Sequence, residues 1–445
     1  VTSPSSTVPV VPGLPLVGSA LALARRPHAF LSSLHRYGDL AAVRLGPERA
    51  YFVNHPDLVH QMLVTDADRF VRGRLFEKIR PLLGEGLVLS EGDVHRRQRR
   101  MTRPVFRHGR LVAYADVIQD VAERRISAWA PGRPVDLVRE LQELGFDVAS
   151  HLLFSDGIDP DVMEVIRRSF PTILASVMRR TLAPTDLLEK IPTRANRAFA
   201  TASREVHEAV DGLIARYREV GGDGDDMFSA LLAARDETTG RPMTDRQVHD
   251  EALSFLTAGG ETTATALTWC AHFAGHRPEV GERLRREADD VLRGKPAGFE
   301  HLADLAHTRR VVTEALRLYP PVWILTRQAV TDARLGDHTI PAGSTLFYSA
   351  YALQRDPRFF DRPHAFDPDR WLPERVGPAQ RHAFIAFGRG IHGCVGEQVG
   401  WIETVIALST IGRRWTLVPV PGPPVRPVFR TNVLPRRLLV TPEPR

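Results

Sequence analysis

The sequence predicts a mainly α-helical fold with a minor β region, and three observations carry that prediction. From Asp57 to about Arg293, apolar residues recur at helical spacing, broken by Pro and Gly. Within that span, Thr244 to Gly275 contains no proline, enough chain for a helix that crosses a whole domain. Beyond Asp332, short apolar pieces bounded by turn residues read as strands. No low-complexity linker interrupts the middle and no fixed period repeats, so residues 1–445 read as one domain.

In chain order, a Pro-rich opening (Pro4, Pro9, Pro12, Pro15) leads to strand-like pieces at Ala41–Leu45 and Tyr51–Asn54. The long helix starts at a capping-box pair, Thr244 with Gln247, and Pro278 stops it. About 30 residues at about 1.5 Å each give roughly 45 Å. Its middle reads Gly259-Gly260-Glu261-Thr262-Thr263. Interior glycine costs about 1 kcal/mol relative to alanine, and threonine is a mediocre helix former. A core helix weakened at its centre without structural gain marks a functional site. Later, Ala333–Leu335 and Thr345–Tyr348 flank a turn built on Ile340-Pro341-Ala342-Gly343. A last helix is expected from Glu397 to Arg413, followed by a Pro-rich tail of short strands and turns.

Composition narrows the function classes. With 43% hydrophobic and 25% charged residues the chain reads as soluble and globular. The longest apolar runs, Leu16–Ala24 and the stretch around Trp269–Ala274, fall short of the roughly 18 residues of a spanning helix. Val1–Thr7 shows no basic region followed by an apolar core, so no secretory signal is expected. The two cysteines, Cys270 and Cys394, rule out a disulfide framework and suit a reducing cytoplasm. Net charge is +6, with lysine only at Lys78, Lys190 and Lys295. The dense basic run His95–Arg103 is compatible with nucleic-acid binding, but a different use for it emerges below.

The segment Phe387-Gly388-Arg389-Gly390-Ile391-His392-Gly393-Cys394-Val395-Gly396 is the most informative. Its glycines allow positive φ and close backbone approach. Cys394 sits where the loop enters a helix, and amides at a helix N-terminus lower a thiol pKa. A thiolate on a rigid turn beside a flat backbone suits a haem face. Judged on the residues alone, a buried structural cysteine in a Gly-rich turn remains the competing reading.

The loop resembles the cysteine signature of the cytochrome P-450 family, Phe-x-x-Gly-x-(Arg/His)-x-Cys-x-Gly, with every family position filled. The resemblance implies that Cys394 is the axial ligand of a haem b iron, that His392 bonds a propionate, and that Phe387 packs near the sulfur. Gly388 and Gly396 would share the cofactor contact. Further matches follow in the family's order. Glu314-Ala315-Leu316-Arg317 resembles the Glu-x-x-Arg motif, and Phe366-Asp367-Pro368-Asp369-Arg370-Trp371 the segment whose arginine joins it. Glu314, Arg317 and Arg370 would form a buried scaffold network. His95 and Arg99, at i,i+4, resemble a propionate-binding pair, as does Arg327 after Pro320-Pro321. Ala258-Gly259-Gly260-Glu261-Thr262-Thr263 resembles the family's acid–alcohol motif. Glu261 and Thr262 would then order the protons that oxygen activation consumes, on a kinked helix. From spacing alone, a plain kink with Thr262 bonded to a carbonyl one turn earlier is an equal reading. Cys270, beside Trp269, reads as a small core hydrophobe.

The resemblance therefore implies a haem-thiolate monooxygenase with haem between the long helix and the Cys394 loop, using O2 and electrons from a separate ferredoxin and ferredoxin reductase. A cytoplasmic monomer without nucleic-acid partners is expected. A peroxygenase on the same fold is disfavoured by Glu261-Thr262, and a non-enzymatic haem sensor would need no such pair. Substrate contacts are expected from Phe70–Leu89, Phe170–Arg180, the stretch preceding Gly259 (Ala252, Leu253, Phe255, Leu256) and Val322-Trp323-Ile324-Leu325. The last two are strongly apolar, although Arg72, Arg74, Arg179 and Arg180 lie on the flanking segments, and this points to a compact hydrocarbon-like molecule oriented by shape. Val322–Arg327 and His95–Arg100 also resemble actinobacterial members that oxidise sesquiterpenes. A cyclic sesquiterpene or related secondary metabolite is expected, with macrolide, polyketide and fatty-acid substrates as alternatives.

Overall fold

The computed structural model describes residues 7–155, 158–181, 187–220 and 226–445. Pro4 of the Pro-rich opening lies outside them. The long helix spans Asp245–His276 and is continuous. Its capping box forms in both directions: Thr244 Oγ1 accepts from the Gln247 amide at 3.3 Å, and Gln247 Oε1 accepts from the Thr244 amide at 2.9 Å. Pro278 opens the next helix, Pro278–Leu292. The central helix packs most extensively on the helix Leu137–Leu153 and also on Ala306–Leu318 and Glu397–Arg414.

That main crossing explains one of the two central glycines. A Cβ on Gly145 would lie 2.4 Å from the Gly260 carbonyl oxygen, and one on Gly260 would lie 2.6 Å from the Phe146 ring. Gly260 thus has a structural gain after all: it lets Leu137–Leu153 approach the central helix closely. The helix does not break there. Thr262, Thr263, Thr265 and Thr268 each donate to the carbonyl four residues earlier, at 2.6–2.8 Å.

The minor β region is richer than the sequence suggests. Five strands form one sheet in the order Leu40–Leu45, Glu48–Val53, Thr345–Tyr348, Leu325–Ala329, Phe70–Arg72. Thr345–Tyr348 does not pair with Ala333–Leu335 as the shared turn implied. It runs parallel to Glu48–Val53 and antiparallel to Leu325–Ala329, because its apolar Leu346-Phe347-Tyr348 is buried. Ala333–Leu335 closes a local hairpin with His338–Ile340 across Gly336. The last helix runs Glu397–Arg414. No described helix is long and apolar enough to cross a membrane.

Candidate active site

A cavity of about 350 Å3 lies between the central helix and the Cys394 loop. The loop is held by its own backbone: the Cys394 amide donates to the Phe387 carbonyl at 2.9 Å and the Gly393 amide to Gly390 at 3.0 Å. Gly388 and Gly390 take positive φ, and a Cβ on Gly390 would clash with the Leu63 carbonyl at 2.1 Å. The close approach at Gly390 is therefore to a neighbouring chain segment. Gly396 is the N-cap of Glu397–Arg414, and the Phe387 ring stacks obliquely on Trp401.

The Cys394 sulfur opens onto the cavity. Burial pushes its thiol up to about 11, against the Gly396 amide and Arg99, which favour the thiolate, while Glu397 opposes it. The expected lowering by helix amides is thus outweighed by desolvation. A metal cation bound in the cavity would deprotonate a coordinating thiol outright.

One end of the cavity is strongly cationic. Arg72 and Arg327 face each other across adjacent antiparallel strands. Like charges placed directly opposite are destabilising unless something neutralises them. Arg327 is 3% exposed and donates to the Thr326 carbonyl at 2.9 Å. Arg72 donates to the Ser90 and Leu87 carbonyls at 2.7 and 3.2 Å, leaving Nε without a partner. His95 is buried with Nδ1 unpartnered, and burial with its cationic neighbours pushes it down to about 3. His392 Nε2 lies 3.2 Å from Glu91, whose carboxylate, despite burial, is held near 2 by His392 and Arg72. Arg99 donates to the Gly393 carbonyl at 2.8 Å, clamping the cysteine loop. Two buried guanidiniums against one carboxylate leave a net positive charge, and Arg72 Nε and His95 Nδ1 are without partners. Two propionates fit that charge, and a porphyrin fits the space between it and Cys394. Elsewhere in the basic run, Arg96 pairs with Asp93 at 2.5 Å on the surface and Arg100 is exposed, while Arg97 is half-buried.

Thr262 and Thr263 lie on the cavity wall, whereas Glu261 does not. Glu261 Oε2 accepts from Asn432 Nδ2 at 2.7 Å, and burial pushes its carboxyl up to about 7. Sequence reasoning missed Arg72 as part of the cationic end, and it missed Glu403. Glu403 is 4% exposed and is the sole carboxyl on the wall among the described residues. A glutamate in a helix ordinarily signals a solvated face, so no local signal marked it.

Behind the site, Glu314, Arg317 and Arg370 come together. Arg317 makes two 2.8 Å bonds to Glu314 and donates to the carbonyls of Gln354, Pro363 and Ala365. Arg370 approaches Glu314 at 3.4 Å, and Trp371 Nε1 donates to it at 2.9 Å. Glu314 and Arg317 are fully buried. Cys270 is buried in the core, and desolvation raises its thiol far above the usual range.

The profile of the family described as Cytochrome P450 matches residues 8–445. The chain belongs to the cytochrome P450 family. It is 42% identical over 417 residues to the cyclooctat-9-en-7-ol 5-monooxygenase of Streptomyces melanosporofaciens, covering 94% of this chain and 91% of that one. It is 40% identical to the cyclooctatin synthase of the same organism (97% and 95% covered) and 37% identical to the pentalenene oxygenase of Streptomyces avermitilis (96% and 94% covered). The crystal structure of the cytochrome P450DA heme domain superposes with a TM-score of 0.86 at 24% identity, over 99% of this chain and 98% of that one. This P450 is a monooxygenase that uses haem b and O2.

Much of the remaining wall of the P450 cavity is apolar, and the Phe76 ring lies against both Arg72 and Arg327, at 5.4 and 5.8 Å. Phe76, Leu87 and Val88 line this part, with Phe255 and Ala258 from the central helix and Val322 and Leu325. Ala252, Leu253 and Leu256 turn into the core instead, as do Trp323 and Ile324. No residue of Phe170–Arg180 reaches the wall; Arg180 stacks over Phe199 at 3.8 Å. Ala149, Leu152, Leu153 and Met227 line the cavity unforeseen.

Proposed function

We propose that Cys394 is the axial thiolate of this P450, that Arg72, His95, Arg99, Arg327 and His392 serve the propionate end, and that the substrate is a cyclic terpene hydrocarbon or its simple alcohol. The observation that carries the substrate reading is the apolar part of the cavity wall. Phe76, Leu87, Val88, Phe255, Val322 and Leu325 offer shape and no ion-pairing group. The terpene oxygenases among its relatives support the same class. The whole chain serves as one catalytic domain, working as a cytoplasmic monomer with electrons from a ferredoxin and its reductase.

When bound, the haem supplies the oxygen chemistry: one atom of O2 enters the substrate and the other leaves as water. The chain's residues do the rest. The apolar wall orients the substrate and excludes water. Thr262 presents an oxygen that accepts hydrogen bonds, its own proton being committed to the Ala258 carbonyl. Glu261 holds a proton near neutrality by burial and delivers it toward Thr262 on leaving Asn432. Thr262→Ala keeps haem but diverts reduced oxygen to peroxide; equal product per electron in mutant and parent contradicts this role.

Titrating the ferric protein with a cyclic sesquiterpene, a cyclic diterpene alcohol, a macrolactone and a long-chain fatty acid tests the substrate reading. A high-spin shift with a terpene supports it. A shift with only the macrolactone or the acid overturns it.

A further inference from the structure

The cavity owes part of its shape to two carboxylates that do not line it, Asp250 and Glu251 near the start of the central helix. Leu87 and Val88 reach the wall from a turn that joins the helix Arg74–Leu83 to the helix Gly92–Thr102. A connecting turn is ordinarily among the more mobile parts of a protein, and its side chains move with it. This one is tied down. Asp250 Oδ2 accepts from the Glu85 amide at 2.8 Å, and both oxygens of Glu251 accept from the Leu87 amide, at 3.0 and 3.1 Å. The Leu87 carbonyl accepts from Arg72 Nη2 at 3.2 Å. Leu87 is thus held at both ends of its backbone, by the central helix on one side and by Arg72 on the other.

The turn also lies flush on that helix. A Cβ on Gly86 would stand 2.5 Å from Ser254 Oγ and 2.6 Å from the Asp250 carbonyl oxygen. Glu251 is fully buried, where a carboxylate is costly unless it is hydrogen-bonded. Among the described residues its hydrogen bonds go to the Leu87 amide. We propose that Glu251 is a specificity-determining positioning residue. By holding the Leu87 amide it sets how far the Leu87 side chain reaches into the cavity, and so which shapes of apolar substrate fit. The proposal rests on the haem reading and deepens the account of an apolar wall that selects by shape.

The test uses ferric holoprotein and two nitrogen ligands of iron, imidazole and phenylimidazole. Both bind the metal through the same kind of nitrogen, but only the second sets a ring against the wall, so the ratio of their Kd values reads the wall. Glu251→Ala should lower the preference for phenylimidazole about tenfold, the low end for one misplaced group in an apolar pocket. Glu251→Gln keeps an acceptor oxygen and should stay near the parent. Gly86→Ala lifts the turn from the helix and should lower the preference as Glu251→Ala does. In a Leu87→Ala background neither change should lower it further, because a residue that acts through Leu87 has nothing left to move. If Glu251→Ala does not fold, Gly86→Ala with and without Leu87→Ala decides. A parental preference in Glu251→Ala or Gly86→Ala, an equal loss in Glu251→Gln, or a loss undiminished in the Leu87→Ala background overturns the proposal. Failure of the parent to bind either ligand at iron would instead overturn the haem reading beneath it.

Discussion

The buried arginines around Glu314 and those at the cationic end of the cavity differ in one respect. The charges of Glu314 and Arg317 are met: Arg317 has five good bonds, and Glu314 also receives Trp371 and the Asp367 amide. At the cationic end of the cavity, Arg72 and Arg327 oppose each other, and donors on Arg72 and His95 have no partner. A satisfied buried network holds a scaffold, whereas an unsatisfied one is waiting for an anion. The difference separates a structural cluster from a binding cluster even though both are made of the same residue type.

Breaking one partner on each side should give opposite behaviour. The largest effect is expected from Glu314→Ala, which strands two buried guanidiniums at a cost of roughly 3–5 kcal/mol. Little folded protein should be recovered whether or not haem is supplied, and a normal soluble yield would contradict the comparison. Arg327→Ala should instead fold and lose haem affinity about 10–100-fold, the range for loss of a charge-assisted contact of roughly 1.5–3 kcal/mol. Haem titration of the apoprotein measures it. Arg72→Ala should weaken haem less, because its bonds to Ser90 and Leu87 show that it also serves the backbone.

The smallest effect concerns Glu91. Its folded value of about 2 lies below the ordinary 4.5. The carboxylate therefore stabilises the fold fully above about pH 4.5, and that contribution is lost as pH falls toward 2. Glu91→Gln should lower stability by about 1 kcal/mol at neutral pH and flatten the acid side of the pH–stability curve. An unchanged acid limb would show that His392 and Arg72 do not depend on it.

Much of this was legible in the sequence, for physical reasons. The central helix announced itself because caps and proline stops act locally: Thr244, Gln247 and Pro278 need no distant partner. The Cys394 loop was legible through its resemblance to the family's motif, since its glycines and cysteine alone fit a structural turn as well. What depended on distant chain was not legible. Gly260 looked like a defect until Phe146 and Gly145, more than a hundred residues earlier, gave it a packing partner. Glu261 turned away from the cavity because Asn432 holds it. Arg72 faces Arg327 only through strand pairing. Leu152 and Leu153 line the cavity while Leu253 and Leu256 fill the core, and helical spacing gives the same apolar signal for both. The Phe170–Arg180 expectation rested on the family's segment order, and here those side chains pack away from the wall.

The central claim is that Cys394, and not Cys270, ligates the iron. The most direct measurement is the Soret band of the reduced carbon monoxide adduct in the parent, Cys394→His and Cys270→Ser. The parent and Cys270→Ser should show the strongly red-shifted band of thiolate ligation, and Cys394→His should lack it. A red-shifted band that survives Cys394→His, or one that vanishes in Cys270→Ser alone, would contradict the assignment.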